Sequence, residues 1–180
     1  VAVGSNALDA STTADGNVAV GHASLGANTT GAQNISIGTG ALGANTTGTQ
    51  NVAVGSNALD ANTTANNNTA VGYQSLGANT TGHSNTSGGA FALDANTTGH
   101  SNTAFGYATL TSNTTSNNNT AVGYTALFNC STGTENTVVG SAAGSTITTG
   151  NANTAMGYGA LFANTTGVNN IAIGVAALDA

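Results

Sequence analysis

The sequence predicts an all-β chain wound as a parallel β-solenoid (a β-roll), with one coil per 17 residues. Three observations predict it. Asn recurs at a spacing of 17 without insertion or deletion, as Asn17, Asn34, Asn51, Asn68, Asn85, Asn102, Asn119, Asn136, Asn153 and Asn170. Four residues after each Asn, and at the matching place near the start, stands Gly: Gly4, Gly21, Gly38, Gly55, Gly72, Gly89, Gly106, Gly123, Gly140, Gly157 and Gly174. Between them the stretch N-[TV]-A-[VI]-G alternates with period two, the pattern of a short strand. A strict period with a fixed residue type at each position is the signature of a solenoid, in which each repeat buries its apolar side only by stacking on its neighbours.

The elements of one repeat follow in order from the consensus N-T-A-V-G-Y-x-A-L-x-A-N-T-T-G-x-x. The first strand is N-T-A-V. A turn is expected at the Gly-Tyr step, where Gly can take positive φ. A second short strand is read over A-L-x-A-N-T, carrying the Leu column Leu8, Leu25, Leu42, Leu59, Leu76, Leu93, Leu110, Leu127, Leu161 and Leu178, which only Gly144 interrupts. The T-G-x-x-N segment closes the coil, since Asn tolerates the left-handed region. Helix is excluded because the apolar positions make no 3.6-residue stripe and Gly, Asn and Thr are poor helix formers. At 17 per coil, the 180 residues make about 10.6 repeats. They form one array over 1–180, a rod of about 50 Å at roughly 4.8 Å per coil. The Asn columns are expected to run as side-chain amide ladders along the axis. The array starts and stops partway through a repeat, so it is read as a segment of a longer fibre.

Two departures test the stacking. Gly88 stands in the Val column, and the same column one coil later holds Phe105. A bulky ring beside a missing side chain conserves volume, so Phe105 is expected to fill the space at Gly88 and keep core volume constant. Gly144 replaces Leu in a coil where Ile147 replaces Asn, and Phe128 and Phe162 in the flanking coils are expected to compensate.

Composition narrows function. The chain has no Lys or Arg, six acidic residues and a formal net charge of −6, which removes the phosphate neutralisation on which nucleic-acid binding depends. No stretch approaches the roughly 18 consecutive apolar residues of a membrane helix, so no membrane insertion is expected. The single cysteine, Cys130, permits no intrachain disulfide. Glu135 is the only Glu, and no set of nucleophile, base and orienting group is visible. The chain is therefore read as not an enzyme, without a cofactor.

A few residues merit a second reading. His83 and His100 share a column in adjacent coils and are weak candidates for a metal site, although an exposed stacked pair is the plainer reading. His22 is read as a surface residue. Asp9, Asp60, Asp94 and Asp179 share one column but lie two or more coils apart, at least about 9 Å, too far to share one calcium ion with 2.3–2.6 Å ligand bonds. Tyr73, Tyr107, Tyr124 and Tyr158 follow the invariant Gly and are possible surface contacts for sugar rings, or else structural cover for the Leu column or another chain. The adjacent Thr columns do not make an ice-binding T-x-T face, because neighbours in a strand point to opposite sides. Asn-x-Thr sequons at Asn28, Asn45, Asn62, Asn79, Asn96, Asn113 and Asn164 arise automatically from the repeat and say little about glycosylation.

The motif N-[TV]-A-[VI]-G, as in residues 17–21, 51–55 and 119–123, resembles the head repeats of YadA-like trimeric autotransporter adhesins. The longer pattern N-T-A-V-G-Y-x-A-L-x-x-N-T-T-G looks like the repeat arrays of phage and bacterial tail-fibre-like proteins. The resemblance covers essentially the whole chain, although the 17-residue coil is longer than the usual adhesin head repeat. It implies a left-handed roll with three chains side by side and the N-T-A-V-G strand nearest the three-fold axis. A thin single rod buries little apolar surface per coil, which also favours lateral association. The expected function is the shaft or stalk of an extracellular fibre, in a bacterial surface appendage or on a virion. Two alternatives are carried: a matrix filament formed by end-to-end stacking, and a rod whose own surface binds glycan.

Overall fold

The extended conformation of the residues after each ladder Asn sets the architecture. In the computed structural model, which describes residues 1–179, these residues form eleven short strands in a single parallel sheet. They are β1 (Ala2–Val3), β2 (Val18–Val20), β3 (Ile35–Ile37), β4 (Val52–Val54), β5 (Thr69–Val71), β6 (Thr86–Gly88), β7 (Thr103–Phe105), β8 (Thr120–Val122), β9 (Thr137–Val139), β10 (Thr154–Met156) and β11 (Ile171–Ile173). Sheet order equals chain order, and every paired residue lies 17 positions from its partner, as in Ala53↔Ala70 and Val54↔Val71. The chain is therefore a β-solenoid of about ten turns at 17 residues per turn, with no helix among the described residues. Coils are numbered here from their ladder Asn: coil 1 is residues 17–33, coil 4 is 68–84, coil 9 is 153–169, with partial coils at both ends.

Within each strand the period-two pattern separates inside from outside. The middle residue points inward and is fully buried, as at Ala53, Ala70, Ala104 and Ala121, while its neighbours face out. The Val column is thus an outer face rather than core. Val71, Phe105 and Met156 are 45%, 46% and 48% exposed. This corrects the expectation for Gly88. The Phe105 ring does lie against Gly88, where an added Cβ would come within 2.6 Å of its Cδ1, but the compensation happens on the outer surface of the sheet and not in the core.

The second strand is absent. A-L-x-A-N-T is instead a run of tight turns in which alternate residues take positive φ, such as Ala23 (53°) and Leu25 (50°). In coil 1, Ser24 N–H donates to Gly21 O, Gly26 N–H to Ala23 O and Asn28 N–H to Leu25 O, closing three turns in succession. The intervening amides reach out of the coil: Ala23 N–H donates to Ser5 O below at 2.9 Å, and Leu25 N–H to Ala41 O above at 3.0 Å. Inter-coil hydrogen bonding therefore continues through a region that is not strand. A left-handed conformation costs a non-glycine residue about 1–2 kcal/mol. Complete burial of a Leu side chain contributes about 1.5–3 kcal/mol and offsets it.

The invariant Gly column has a different origin. All eleven have φ between 127° and 139° or at its edges near there, from Gly174 at 127° to Gly140 at 139°. A Cβ on Gly72 would stand 2.5 Å from the carbonyl oxygen of Gly89 in the next coil. Both the backbone conformation and the stacking distance exclude a side chain.

The interior is a thin column of Ala and Leu, and its local departures compensate one another. Where Ser replaces Ala it does so in diagonal pairs. Ser24 Oγ donates to Ser36 Oγ at 2.7 Å, Ser36 Oγ in turn donates to Ala41 O at 2.7 Å, and Ser75 is bonded to Ser87 in the same way. At Gly144 the missing Leu is replaced by Ile147 and Val138: a Cβ there would meet Ile147 Cδ1 at 3.0 Å, Val138 Cγ2 at 3.4 Å and Leu127 Cδ1 at 3.5 Å. Ile147 and Val138 are fully buried. Phe128 and Phe162, expected to compensate, instead lie on the outside, Phe162 at 46% exposure.

Candidate functional site

Three features of the rod could carry function: the polar ladders inside, the outward face of the sheet, and the corner that follows the invariant Gly.

The Asn column forms the predicted kind of ladder, with each amide serving two purposes. Asn51 N–H donates to Asn34 Oδ1 at 2.9 Å, Asn68 N–H to Asn51 Oδ1 at 2.9 Å and Asn85 N–H to Asn68 Oδ1 at 2.9 Å, and the series continues through Asn170. The same side chains donate within their own coil, Asn68 Nδ2 to Gly82 O at 2.8 Å, and so clasp the start of the coil to its end. A second ladder, on the other Asn column of the repeat, runs beside the first. Asn45, Asn62, Asn79, Asn96 and Asn113 each donate from Nδ2 to the Oδ1 of the Asn one coil earlier, at 2.8–3.1 Å. The two ladders meet on one carbonyl per coil: Gly82 O accepts from Asn68 at 2.8 Å and from Asn79 at 2.9 Å. Its signal in the sequence is the unbroken 17-residue spacing from Asn28 to Asn113, the same spacing that spells the sequons. Those sequon side chains are 0% exposed, so in the folded rod Asn28, Asn45, Asn62, Asn79, Asn96 and Asn113 offer no amide nitrogen to a glycan. Every buried side-chain N or O among the described residues has a hydrogen-bond partner, the condition under which burying so many amides is tolerable.

The second ladder stops at Cys130 and Ile147. Cys130 is buried with Sγ 3.4 Å from Gly133 O, and burial pushes its thiol up to about 11, which leaves it protonated and unreactive at neutral pH.

Outward from the sheet runs the column Val20, Ile37, Val54, Val71, Gly88, Phe105, Val122, Val139, Met156 and Ile173. It is an unbroken apolar stripe along the rod, of half-buried or exposed side chains. Monomeric proteins rarely leave a continuous apolar strip of this length open to water.

His83 and His100 stack with ring centroids 4.9 Å apart and planes within 2°, each Nδ1 lying 3.3–3.4 Å from the hydroxyl of the following Ser. Two imidazoles bound to one ion at about 2.0–2.1 Å bring their nitrogens within about 4.2 Å of each other. Rings held parallel at the coil spacing do not converge in that way, and no group of three His, Cys, Asp or Glu that could hold a metal occurs among the described residues. The outer Thr columns are used in the rod itself: Thr29 Oγ1 donates to Thr46 O at 3.0 Å and Thr80 Oγ1 to Thr97 O at 3.0 Å.

The Tyr column lies at the corner after the invariant Gly. Tyr73, Tyr107, Tyr124 and Tyr158 are 48–65% exposed, so they do not cover the buried Leu column. Coil 5 has Ala90 in that column, and Phe91 beside it supplies the ring. Tyr73 meets Phe91 edge-on at 5.3 Å, Phe91 meets Tyr107 edge-on at 5.9 Å, and Tyr107 stacks on Tyr124 at 5.5 Å. Four consecutive coils thus carry a continuous aromatic strip. Next to it a pocket of about 240 Å³ is lined by Asn57, Asp60, Gln74, Gly77, Ala78 and Asp94. Partial burial holds the carboxyls of Asp60 and Asp94 above the usual carboxylate range. No helix among the described residues is long and apolar enough to cross a membrane.

Compared with protein-family models, with curated proteins and with solved structures, the chain matches none of them.

Proposed function

We propose that the chain is the shaft of an extracellular fibre, in a bacterial surface appendage or on a virion, with a mechanical rather than a catalytic role. The observation that carries this reading is the uninterrupted 17-residue register of eleven strands, locked internally by two buried amide ladders. Such a column resists bending and local opening because each coil is bonded to both neighbours along most of its circumference. The absence of Lys and Arg leaves trypsin no cleavage site, which suits exposure outside the cell. The shaft associates laterally, and the apolar stripe from Val20 to Ile173 is the surface that three chains would share, in line with the adhesin-like motif.

The mass of the purified chain in solution tests this directly. Three copies per particle are expected, with elongated hydrodynamics. Replacing Val54 and Val71 by Asp places charges on the shared face and is expected to give monomers that keep the β spectrum. A wild-type chain that stays monomeric at all concentrations would remove the lateral assembly, and with it the shaft reading in this form.

A further inference from the structure

The corner of coils 3 to 5 departs from the repeat in a concerted way, and the remaining coils serve as its internal control. Column 10 of the repeat alternates there as Asp60, Gly77, Asp94, and Gly77 forms the floor between the two carboxylates. A Cβ on Gly77 would meet Asp94 Oδ1 at 2.9 Å and Gln74 O at 3.3 Å, so any side chain would close the pocket. Column 7 carries Asn57 and Gln74 below and then Phe91, which lies edge-on between Tyr73 and Tyr107. Many polar side chains of the rod bond to a neighbouring coil. In these coils Ser56, Asn62, Ser75 and Asn79 make such bonds, while among the described residues Asn57, Asp60, Gln74 and Asp94 have no side-chain partner in the chain. Two amides and two carboxylates therefore line one recess without partners in the chain, and Gln74 adjoins Tyr73 in sequence while Phe91 follows Gln74 in the same column one coil on.

The chemistry of the recess limits what can occupy it. No Lys or Arg exists anywhere in the chain, and two carboxylates line the pocket, so phosphate, sulfate and uronate ligands are repelled. A peptide added as a strand needs an open sheet edge, and here every strand between β1 and β11 is paired on both sides. What fits clustered hydroxyl acceptors beside an aromatic ring is a molecule with many hydroxyl donors and an apolar face. We propose that this corner, Tyr73 and Phe91 with Asn57, Gln74, Asp60 and Asp94, binds a neutral saccharide unit, its ring face against the aromatics and its hydroxyls on the carboxylates and amides. The same two columns form a second recess of about 220 Å³ further along the rod, with Tyr158, Phe162 and Asp179 around Gly159. At that position an added Cβ would meet nothing within 4 Å. Two such recesses on one corner suit a polysaccharide lying along the rod, which adds avidity to weak single contacts.

The test is an array of neutral hexose and N-acetylhexosamine oligosaccharides printed beside sialylated and sulfated ones, probed with the folded chain. Wild type is expected to bind neutral oligosaccharides and not the acidic ones. Phe91→Ala, Tyr73→Ser and Gln74→Ala install residues that the same columns already carry at Ala108, Ser56 and Ala23, so the fold tolerates them, and an unchanged thermal transition checks this. The Tyr73→Ser/Phe91→Ala pair is expected to weaken binding about tenfold or more. Asp60→Ser with Asp94→Ser is expected to do the same by removing the hydroxyl acceptors. No binding to any neutral glycan, preference for acidic glycans, or wild-type binding by both double variants would each overturn the assignment. Loss of binding on addition of EDTA would do so as well, by placing a cation rather than the side chains at the centre of recognition.

Discussion

Coils 2 to 6 and coils 7 to 8 solve the same packing problem with different chemistry. In the first region a column of Asn from Asn45 to Asn113 fills the corner of the interior, every amide bonded to the one before it. In the second, Cys130 and Ile147 occupy that column, Gly144 has lost its Leu, and Val138 stands where Ala is usual. The changes are coupled. Ile147 cannot accept or donate, so it turns its bulk into the space that Leu would fill, and Val138 supplies the remainder. An amide ladder is therefore exchangeable for an apolar plug, provided the neighbouring columns change with it. The Asn of the first column admits no such exchange, because it clasps the two ends of its own coil as well as bonding to the next.

The largest effect is expected from the feature that both regions share. Gly72→Ala places a methyl 2.5 Å from Gly89 O at a φ of 138°, which L-residues avoid, and backbone cannot retreat without breaking the sheet on both sides. We expect a loss of more than about 4 kcal/mol, read as a failure to fold or a collapse of the denaturation midpoint. A stable rod with coil-to-coil spacing intact would show that the stacking distance is softer than this geometry states.

Next comes Asn68→Ala, which strands the buried Asn85 N–H and removes a clasp to Gly82 O. At about 1–3 kcal/mol for each buried group left unsatisfied, a loss near 3 kcal/mol is expected in urea denaturation. By comparison Cys130→Asn adds an amide beneath Ile147 in line with Asn113, and is expected to change stability by less than about 1 kcal/mol. If the two variants behave alike, the first ladder has no special standing over the second.

The exchange itself can be tested by reversing it. Gly144→Leu alone drives a side chain into Ile147 Cδ1 at 3.0 Å and is expected to cost about 1–3 kcal/mol through overpacking. Combined with Ile147→Asn and Val138→Ala, it restores the consensus coil and should recover the loss. A triple variant no more stable than the single one would mean that the three departures are independent.

These contrasts also show what the sequence could and could not disclose. Register, the strand and the Gly column were legible because each has a strict period with one residue type, and periodicity is a property of sequence alone. The turn half of the coil was not. Apolar alternation in A-L-x-A-N-T imitates a strand, and nothing local marks Leu25 or Leu42 for a φ near 50°, since tertiary burial overrides their backbone preference. One trace was present: the only residue to interrupt the Leu column is Gly144, the type for which positive φ costs least. The aromatic strip was half legible, because Tyr73, Tyr107 and Tyr124 share a column, whereas Phe91 belongs to the next one and joins only through the fold of the corner. The pocket beside it is hidden for the same reason, since Asn57 and Gln74 belong to one column and Asp60 and Asp94 to another three residues on.

The smallest expected effect separates the corner from the rest of the rod. Burial raises the carboxyls of Asp60 and Asp94 above their ordinary value of 3.8, so ionising them opposes folding. The stabilising contribution of the protonated forms is fully present below that value and is lost as pH rises through the elevated folded-state range. Asp60 is exposed and Asp94 half-buried, so water screens the effect and keeps it well below those of the interior variants. Asp60→Asn with Asp94→Asn should therefore leave the melting temperature nearly unchanged at pH 3, raise it slightly at pH 7, and flatten the difference between the two. A double variant less stable than wild type at pH 7 would mean that the carboxylates are held by favourable contacts within the chain, and the corner would then be part of the scaffold rather than a surface left open for a ligand.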